Sequence, residues 1–168
     1  HGFAASPLAN SPHVLKPICG GSSIDTFMVR DAVHQPHTND AFERYNQMLL
    51  EELVEGTEIT VGILGHQPLP VIMIVPPLGK EFDYQNKYNG QTQELVAPTQ
   101  IPAAIQRTAQ QLALRVHQLC GCRHLSRTDM IIDAAGNLQV LETNTIPGLT
   151  DQSLLPKAAA AIGLDMKH

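Results

Sequence analysis

Arg127 to Ile132 passes from polar positions into an apolar, β-branched run, and Leu138 to Asn144 passes from apolar positions, with Leu138 and Val140 two apart, to polar ones. Side chains two apart on a strand share a face, and Asp133 to Asn137 is a Gly/Asn turn, so the pattern predicts a hairpin. Leu138, Val140, Glu142 and Asn144 are then expected on one face, with Ile131, Asp129 and Arg127 repeating the apolar-to-polar change on the partner strand. That arrangement brings Asp129, Glu142 and Asn144 within side-chain reach. Alternation predicts a strand over Glu58 to Leu64, with Ile59, Val61 and Ile63 on one face and Glu58 and Thr60 on the other. Gly65 to Pro68 reads as a turn, Leu69 to Val75 and Gln91 to Pro98 as further strands, and Met48 to Val54 as a buried strand or linker broken by Glu55 and Gly56. Ile105, Ala109, Leu112, Val116 and Leu119 recur every three or four residues. The period predicts an amphipathic helix over Ile101 to Leu119, ended by Gly121 and covering the sheet. Short strands are expected at His13 to Lys16 and Thr26 to Val29 around a Gly/Ser loop, a loop at Asp31 to His37, a short helix at Asn39 to Asn46 and a final helix at Lys157 to Ile162. His1 to Pro12 has no periodicity and reads as a flexible lead-in.

The polar tip of the hairpin is where chemistry is first expected. Two carboxylates ~4 Å apart repel by about 4 kcal/mol at an effective dielectric near 20, so they are rarely gathered without a proton or a cation. Asp129, Glu142 and Asn144 offer only oxygen, which suits Mg²⁺ or Mn²⁺ better than zinc. Spacing alone is equally compatible with a solvated hairpin end. Downstream, Pro147 and Gly148 force a turn into a helix start carrying Ser153, a natural anion site. The loop I-C-G-G-S-S-I-D could present backbone N–H groups to a phosphate with Lys16 beside it, although a plain hairpin is the commoner explanation of such a turn. Pro76 to Gly90 carries Phe82, Tyr84 and Tyr88 in a Pro/Gly-rich setting and reads as a packed loop or a lid.

Composition narrows the partners. A net charge of −5 with scattered basic residues argues against nucleic acid, and no apolar stretch reaches the ~18 residues of a membrane span. Cys19, Cys120 and Cys122 are too few and wrongly spaced for a disulfide framework or a zinc site, so reduced thiols in a cytoplasmic setting are expected. The eight histidines form no metal-binding pair and read as surface or core residues. The 168 residues suffice for one domain or two small lobes, and a first residue other than Met suggests a fragment.

The string R-x-D followed by L-E-x-N-T-x-P-G-x-T-x-x-S-L resembles the signature of D-alanine-D-alanine ligases, members of the ATP-grasp superfamily. The resemblance extends to K-P-x-x-x-G-S-S at Lys16 to Ser23, to E-x-x-x-x-G-x-E at Glu51 to Glu58, to the omega loop around F-D-Y-Q-N-K-Y, and to the segment from Leu119 to Asp129. It implies an α+β ATP-grasp fold, two lobes with largely antiparallel sheets and only part of the family's chain. Residues 1–54 would be the remainder of the central lobe with its glycine-rich hairpin, and residues 55–168 the C-terminal lobe with the omega loop and metal site. The N-terminal domain, with another phosphate-binding lysine and part of the first D-alanine site, is expected to lie outside this chain.

By the same resemblance, Lys16, Ser23 and Lys87 serve the ATP phosphates, and Tyr88 hydrogen-bonds Ser22 when the lid shuts. Glu51 lies near the adenine amino group, the Val54 backbone reads the ring edge and Glu58 takes the ribose hydroxyls. Asp129, Glu142 and Asn144 hold two Mg²⁺ or Mn²⁺ ions. Arg127 and the Gly148 backbone face the oxyanion of the tetrahedral adduct, and Ser153 with the Leu154 backbone holds the carboxylate of the second D-alanine. The implied function is ATP-dependent ligation of two D-alanines through an acyl phosphate for peptidoglycan precursors. The alternatives are another ATP-grasp carboxylate-amine ligase and a non-catalytic nucleotide-binding remnant. Asp25 stands where the family has Gly, and His124 where it has another Gly; the first implies a stiffer, more acidic loop. A lobe face left apolar by the missing domain implies a tendency to form homodimers.

Overall fold

The computed structural model describes residues 6–21, 23–30, 43–77 and 92–164. Ser22, Lys87, Tyr88, the loop expected at 31–37, the start of the helix expected at Asn39 and most of the omega loop lie outside the described residues. The chain divides into two compact units, the first running to Val54 and the second starting at Glu55.

In the first unit, β1 (His13–Pro17) pairs antiparallel with both β2 (Phe27–Val29) and β3 (Met48–Glu52), in the order β2-β1-β3. Ser6 to Asn10 is more ordered than a flexible lead-in: Pro7–Asn10 forms one 3-10 turn, with the Ser6 hydroxyl accepting from Leu8 N–H. Leu15 and His13 point into the unit's interior at 1% exposure each. The run Met48 to Glu52 is a strand, but not a buried one, because it lies at the sheet edge with Leu49 exposed.

The second unit is a six-stranded antiparallel sheet, β7-β6-β4-β8-β9, with β5 attached to β4. Its strands are β4 (Gly56–Leu64), β5 (Gln67–Pro68), β6 (Ile72–Val75), β7 (Gln93–Val96), β8 (Leu125–Asp133) and β9 (Leu138–Asn144). Ile59, Val61 and Ile63 alternate inward from β4 and are fully buried with Met73, Met130 and Ile132. Helix α1 (Ala103–Leu119) closes this layer. Its buried line is Ala109, Ala113 and His117 with Ile105 and Leu112 alongside, whereas Leu119 is 77% exposed. The apolar spacing therefore located the helix but misplaced the end of its buried face, because small alanines allow the helix to lie close to the sheet.

The other face of the sheet is covered at one end by α2 (Leu154–Ala160), which buries Leu155, Ala158 and Ala159 against Leu69, Ile72 and Ile74. Pro156 falls in the first turn of α2, where its missing N–H costs no helical hydrogen bond. The Lys157 ammonium meets Glu94 Oε2 on β7 at 2.6 Å and ties α2 to the sheet. Among the described residues no helix is long and apolar enough to cross a membrane.

His117 sits within α1 with no exposed surface. Its Nδ1 lies 2.8 Å from the buried Ser126 hydroxyl, and its Nε2 meets no hydrogen-bond partner among the described residues. Burial, with a smaller contribution from the His66 charge, holds its pKa below the ordinary histidine value. The folded state thus favours the neutral ring, and the unfolded state binds the extra proton. The stability contribution is full above the unfolded pKa of about 6.5 and is lost as pH falls from there toward the folded value, at a limiting slope of about 1.4 kcal/mol per pH unit. Urea titrations across this window should show that slope, and His117→Gln should flatten it.

Candidate active site

Strand β8 is internal to the sheet, paired over its whole length with β4 and on its other side with the edge strand β9. Register places Glu58 opposite Ile131, Thr60 opposite Asp129 and Gly62 opposite Arg127. Across β9, Arg127 faces Asn144 and Asp129 faces Glu142, but Met130 faces Val140. One extra residue, Leu141, therefore interrupts the ladder between Asp129 and Met130 as a β-bulge.

This bulge corrects the simple alternation expected for β9. Val140 and Leu138 lie opposite Met130 and Ile132, and Leu138 packs with them under α1. Glu142 and Asn144 are opposite Asp129 and Arg127, on the other face. Without the extra residue, a strand continuing from Leu138 would carry Glu142 and Asn144 to the core face, since a shift of one residue inverts every side chain. The polar cluster thus exists because β9 breaks register.

Within it, Arg127 makes a two-pronged contact with Asp129: Nε donates to Oδ1 at 2.9 Å and Nη2 to Oδ2 at 2.8 Å. The Thr60 hydroxyl donates to the same Oδ1 at 2.5 Å. Asn144 Nδ2 donates to Asp129 Oδ2 at 3.3 Å and to Glu142 Oε1 at 3.4 Å. Burial alone would lower the Arg127 pKa, but the hydrogen bonds and charge of Asp129, with the charges of Glu142 and Glu58, outweigh it and raise it. The guanidinium is a permanent cation among three carboxylates. Thr60 was not singled out from the sequence as a site residue, although its place with Glu58 on the polar face of β4 was the signal that could have found it.

Beyond β9, Pro147 is buried and the chain turns through Gly148 toward α2. Ser153 is the residue before α2, and its hydroxyl accepts from Thr150 N–H at 3.2 Å while lying 2.9 Å from Thr150 Oγ1. A Cβ at Gly148 would stand 2.6 Å from Ser153 Oγ. Gly148 and Ser153, separately singled out from the sequence, are therefore neighbours, and glycine is what lets them approach. Gly148→Ala should push the Ser153 hydroxyl off Thr150, read as faster hydrogen exchange at the Thr150 amide with less than about 1 kcal/mol change in global stability for this exposed loop.

In the first unit, Lys16 Nζ and Glu51 Oε2 form an ion pair of 2.6 Å, both side chains partly exposed. The register explains it: Lys16 faces Leu49 and Val14 faces Glu51, so Lys16 and Glu51 are diagonal neighbours on one face. Val54 is half-buried just after β3, and Ser23 lies in the turn before β2 with a φ of 58°.

The family description "D-ala D-ala ligase C-terminus" matches residues 7–168. The chain belongs to the D-alanine-D-alanine ligase family. It is 39% identical over 158 residues to the D-alanine-D-alanine ligase of Syntrophotalea carbinolica, covering 94% of this chain and 51% of that protein. With the ligase of Oleidesulfovibrio alaskensis the identity is 41% over 155 residues, covering 91% and 50%. Among solved structures, the Bacillus anthracis D-alanine-D-alanine ligase complexed with ATP superposes with a TM-score of 0.74 at 30% identity, over 92% of this chain and 48% of that one. The VanG D-Ala:D-Ser ligase of Enterococcus faecalis superposes at 0.78 and 29% identity, over 98% and 48%. The fold is that of the ATP-grasp ligases, and the chain spans about half the length of the curated relatives it matches.

Proposed function

We propose that this chain is the nucleotide- and substrate-binding portion of a cytoplasmic ligase that joins two D-alanines at the expense of ATP, for peptidoglycan precursors. The observation carrying this reading is the convergence of Arg127, Asp129, Glu142 and Asn144 on one sheet face through the bulge at Leu141. β-bulges are over-represented beside active sites, and this supports a role for the cluster beyond solvation. The γ-phosphoryl group of ATP passes to a carboxylate oxygen of the first D-alanine and ADP leaves. The amine of the second D-alanine then attacks the acyl carbon, losing a proton as inorganic phosphate departs.

Such phosphoryl transfer depends chiefly on positioning and charge neutralisation. Asp129, Glu142 and Asn144 would supply an oxygen donor set suited to Mg²⁺ or Mn²⁺, the Asn144 amide, whose Nδ2 here faces both carboxylates, rotating to present its oxygen. When bound, the ions would neutralise phosphate charge. Arg127, held by two bonds to Asp129, would face a developing oxyanion together with the Gly148 backbone. Ser153, oriented by Thr150, and the Leu154 N–H would take the carboxylate of the second D-alanine. Glu58 would accept from ribose hydroxyls; Glu51 and the Val54 backbone would read adenine; Lys16 and Ser23 would serve phosphates. Lys16 then exchanges its Glu51 partner for nucleotide. Ser22, Lys87 and Tyr88 would complete the lid and the phosphate contacts.

The test is calorimetric titration of this chain with a non-hydrolysable ATP analogue, with and without Mg²⁺. Binding that strengthens with Mg²⁺, and loses that increment in Glu142→Gln, is the expected result. Absence of binding in both conditions would overturn the proposal.

A further inference from the structure

Position 25 is where the resemblance leads one to expect glycine, and the structure shows how an aspartate occupies the place. Asp25 has a φ of 55°, in the left-handed region that glycine enters freely and aspartate tolerates better than most residues. The turn is closed by Ile24 N–H donating to Gly21 O at 3.1 Å and Thr26 N–H donating to Ser23 O at 3.3 Å. Gly20 and Gly21 are exposed, yet the Asp25 side chain is only 16% exposed. Its carboxylate turns back onto the segment that precedes β3. Arg44 Nη2 donates to Oδ1 at 2.8 Å and the Tyr45 hydroxyl donates to Oδ2 at 2.6 Å. The guanidinium carbon of Arg44 also stands 5.9 Å from the centre of the Tyr45 ring. The hydrogen bond to Asp25, chiefly, holds the Tyr45 pKa above the ordinary phenol value, so the hydroxyl remains a neutral donor.

A loop that receives a polyphosphate gains nothing from a bare carboxylate at its exit. Here each carboxylate oxygen has a donor, and the formal charge of Asp25 is matched by that of Arg44. We propose that Asp25, Arg44 and Tyr45 form a latch that fixes the exit of the glycine-rich loop and cancels its negative charge, making Arg44 a positioning residue for nucleotide phosphates. This rests on the reading of the loop as a phosphate-binding element. The three residues lie 19 and 20 positions apart along the chain, so the latch also joins the loop to the segment leading into β3, the strand that carries Glu51.

The experiment compares the unmodified chain with Arg44→Gln, Arg44→Lys and Asp25→Gly/Arg44→Gln, using adenosine and a non-hydrolysable ATP analogue as separate ligands. Arg44→Gln leaves Asp25 uncompensated and should weaken the ATP analogue by about fivefold, the scale of one screened charge repulsion. Adenosine, which has no phosphate, should bind as before. Arg44→Lys should retain most of the affinity, and removing Asp25 together with Arg44 should restore it. Equal loss for both ligands would mean general damage to the unit and would overturn the charge role. So would an Arg44→Gln chain that binds the analogue as tightly as the unmodified one. Failure of the unmodified chain to bind the analogue would instead remove the nucleotide reading, and this proposal with it.

Discussion

Replacing Asp129 by alanine is expected to destabilise the second unit by about 3 kcal/mol or more, the usual result of stripping a mostly buried charge of its partner. The Asp129 and Arg127 side chains are only 11% and 19% exposed. Alanine at 129 would remove both bonds from the Arg127 guanidinium to Asp129 and the nearer acceptor of the buried Thr60 hydroxyl, leaving it only the Thr128 carbonyl oxygen at 3.3 Å. The midpoint of urea unfolding should fall accordingly. The double replacement Asp129→Ala/Arg127→Ala should be less destabilised than the two single changes added together, because neither charge is then left alone. Strict additivity would show that the two-pronged pair contributes nothing as a unit. The proposed role of the cluster separates the two changes: Arg127→Ala alone leaves Asp129, Glu142 and Asn144 in place, so Mg²⁺-dependent nucleotide binding should survive it, whereas Asp129→Ala should abolish the Mg²⁺ increment.

Gly56→Ala carries the second large effect. A Cβ on Gly56 would overlap the carbonyl oxygen of Ile132 and approach Ile131 Cγ2 to 2.7 Å. The obstruction is backbone in the neighbouring strand, where Gly56 pairs with Asp133, and a paired strand cannot swing aside as a flexible side chain can. The expected cost is about 2–4 kcal/mol, in the range of overpacking and strain. Because Glu58 follows two residues later on the same strand, nucleotide affinity should fall together with the thermal midpoint. An alanine variant with unchanged midpoint would mean that the two strands can part there without penalty. The break expected at Glu55 and Gly56 is present over residues 53–55, between β3 and β4, but Gly56 itself is the first residue of β4. At that first position the glycine serves close approach between strands.

The contrast between Gly56 and Gly148 on one side and Asp25 on the other shows how local signals divide. At the first two positions a neighbour that the folded chain brings near favours glycine, the Ile132 backbone strictly in one case and the movable Ser153 side chain more loosely in the other. At position 25 the backbone conformation is local, and a left-handed turn in a Gly/Ser loop is what such a segment favours. The partners that make an aspartate acceptable there, Arg44 and Tyr45, come from a distant segment.

Strand and helix positions were legible because they rest on short-range periodicity. The alternation over Glu58 to Leu64 identified both the strand and its buried face, and the three-to-four spacing over residues 101–119 located α1. The residue types at fixed separations singled out Arg127, Asp129, Glu142 and Asn144, which the fold brings together, and Gly148 with Ser153, which it makes neighbours; the roles given to them belong to the proposed function. What remained closed was decided between strands. Period-two alternation cannot announce a residue that has no opposite number, so the bulge at Leu141, which moves Glu142 and Asn144 to the face of Asp129, belongs to the pairing of β8 with β9. The same holds for Thr60, whose hydroxyl meets Asp129 across 69 residues of chain, and for the Lys16 to Glu51 ion pair set by the register of β1 with β3. Periodicity is a property of one segment. Partnership is a property of two, and the hydrogen-bonded register that creates it exists only once the sheet has formed.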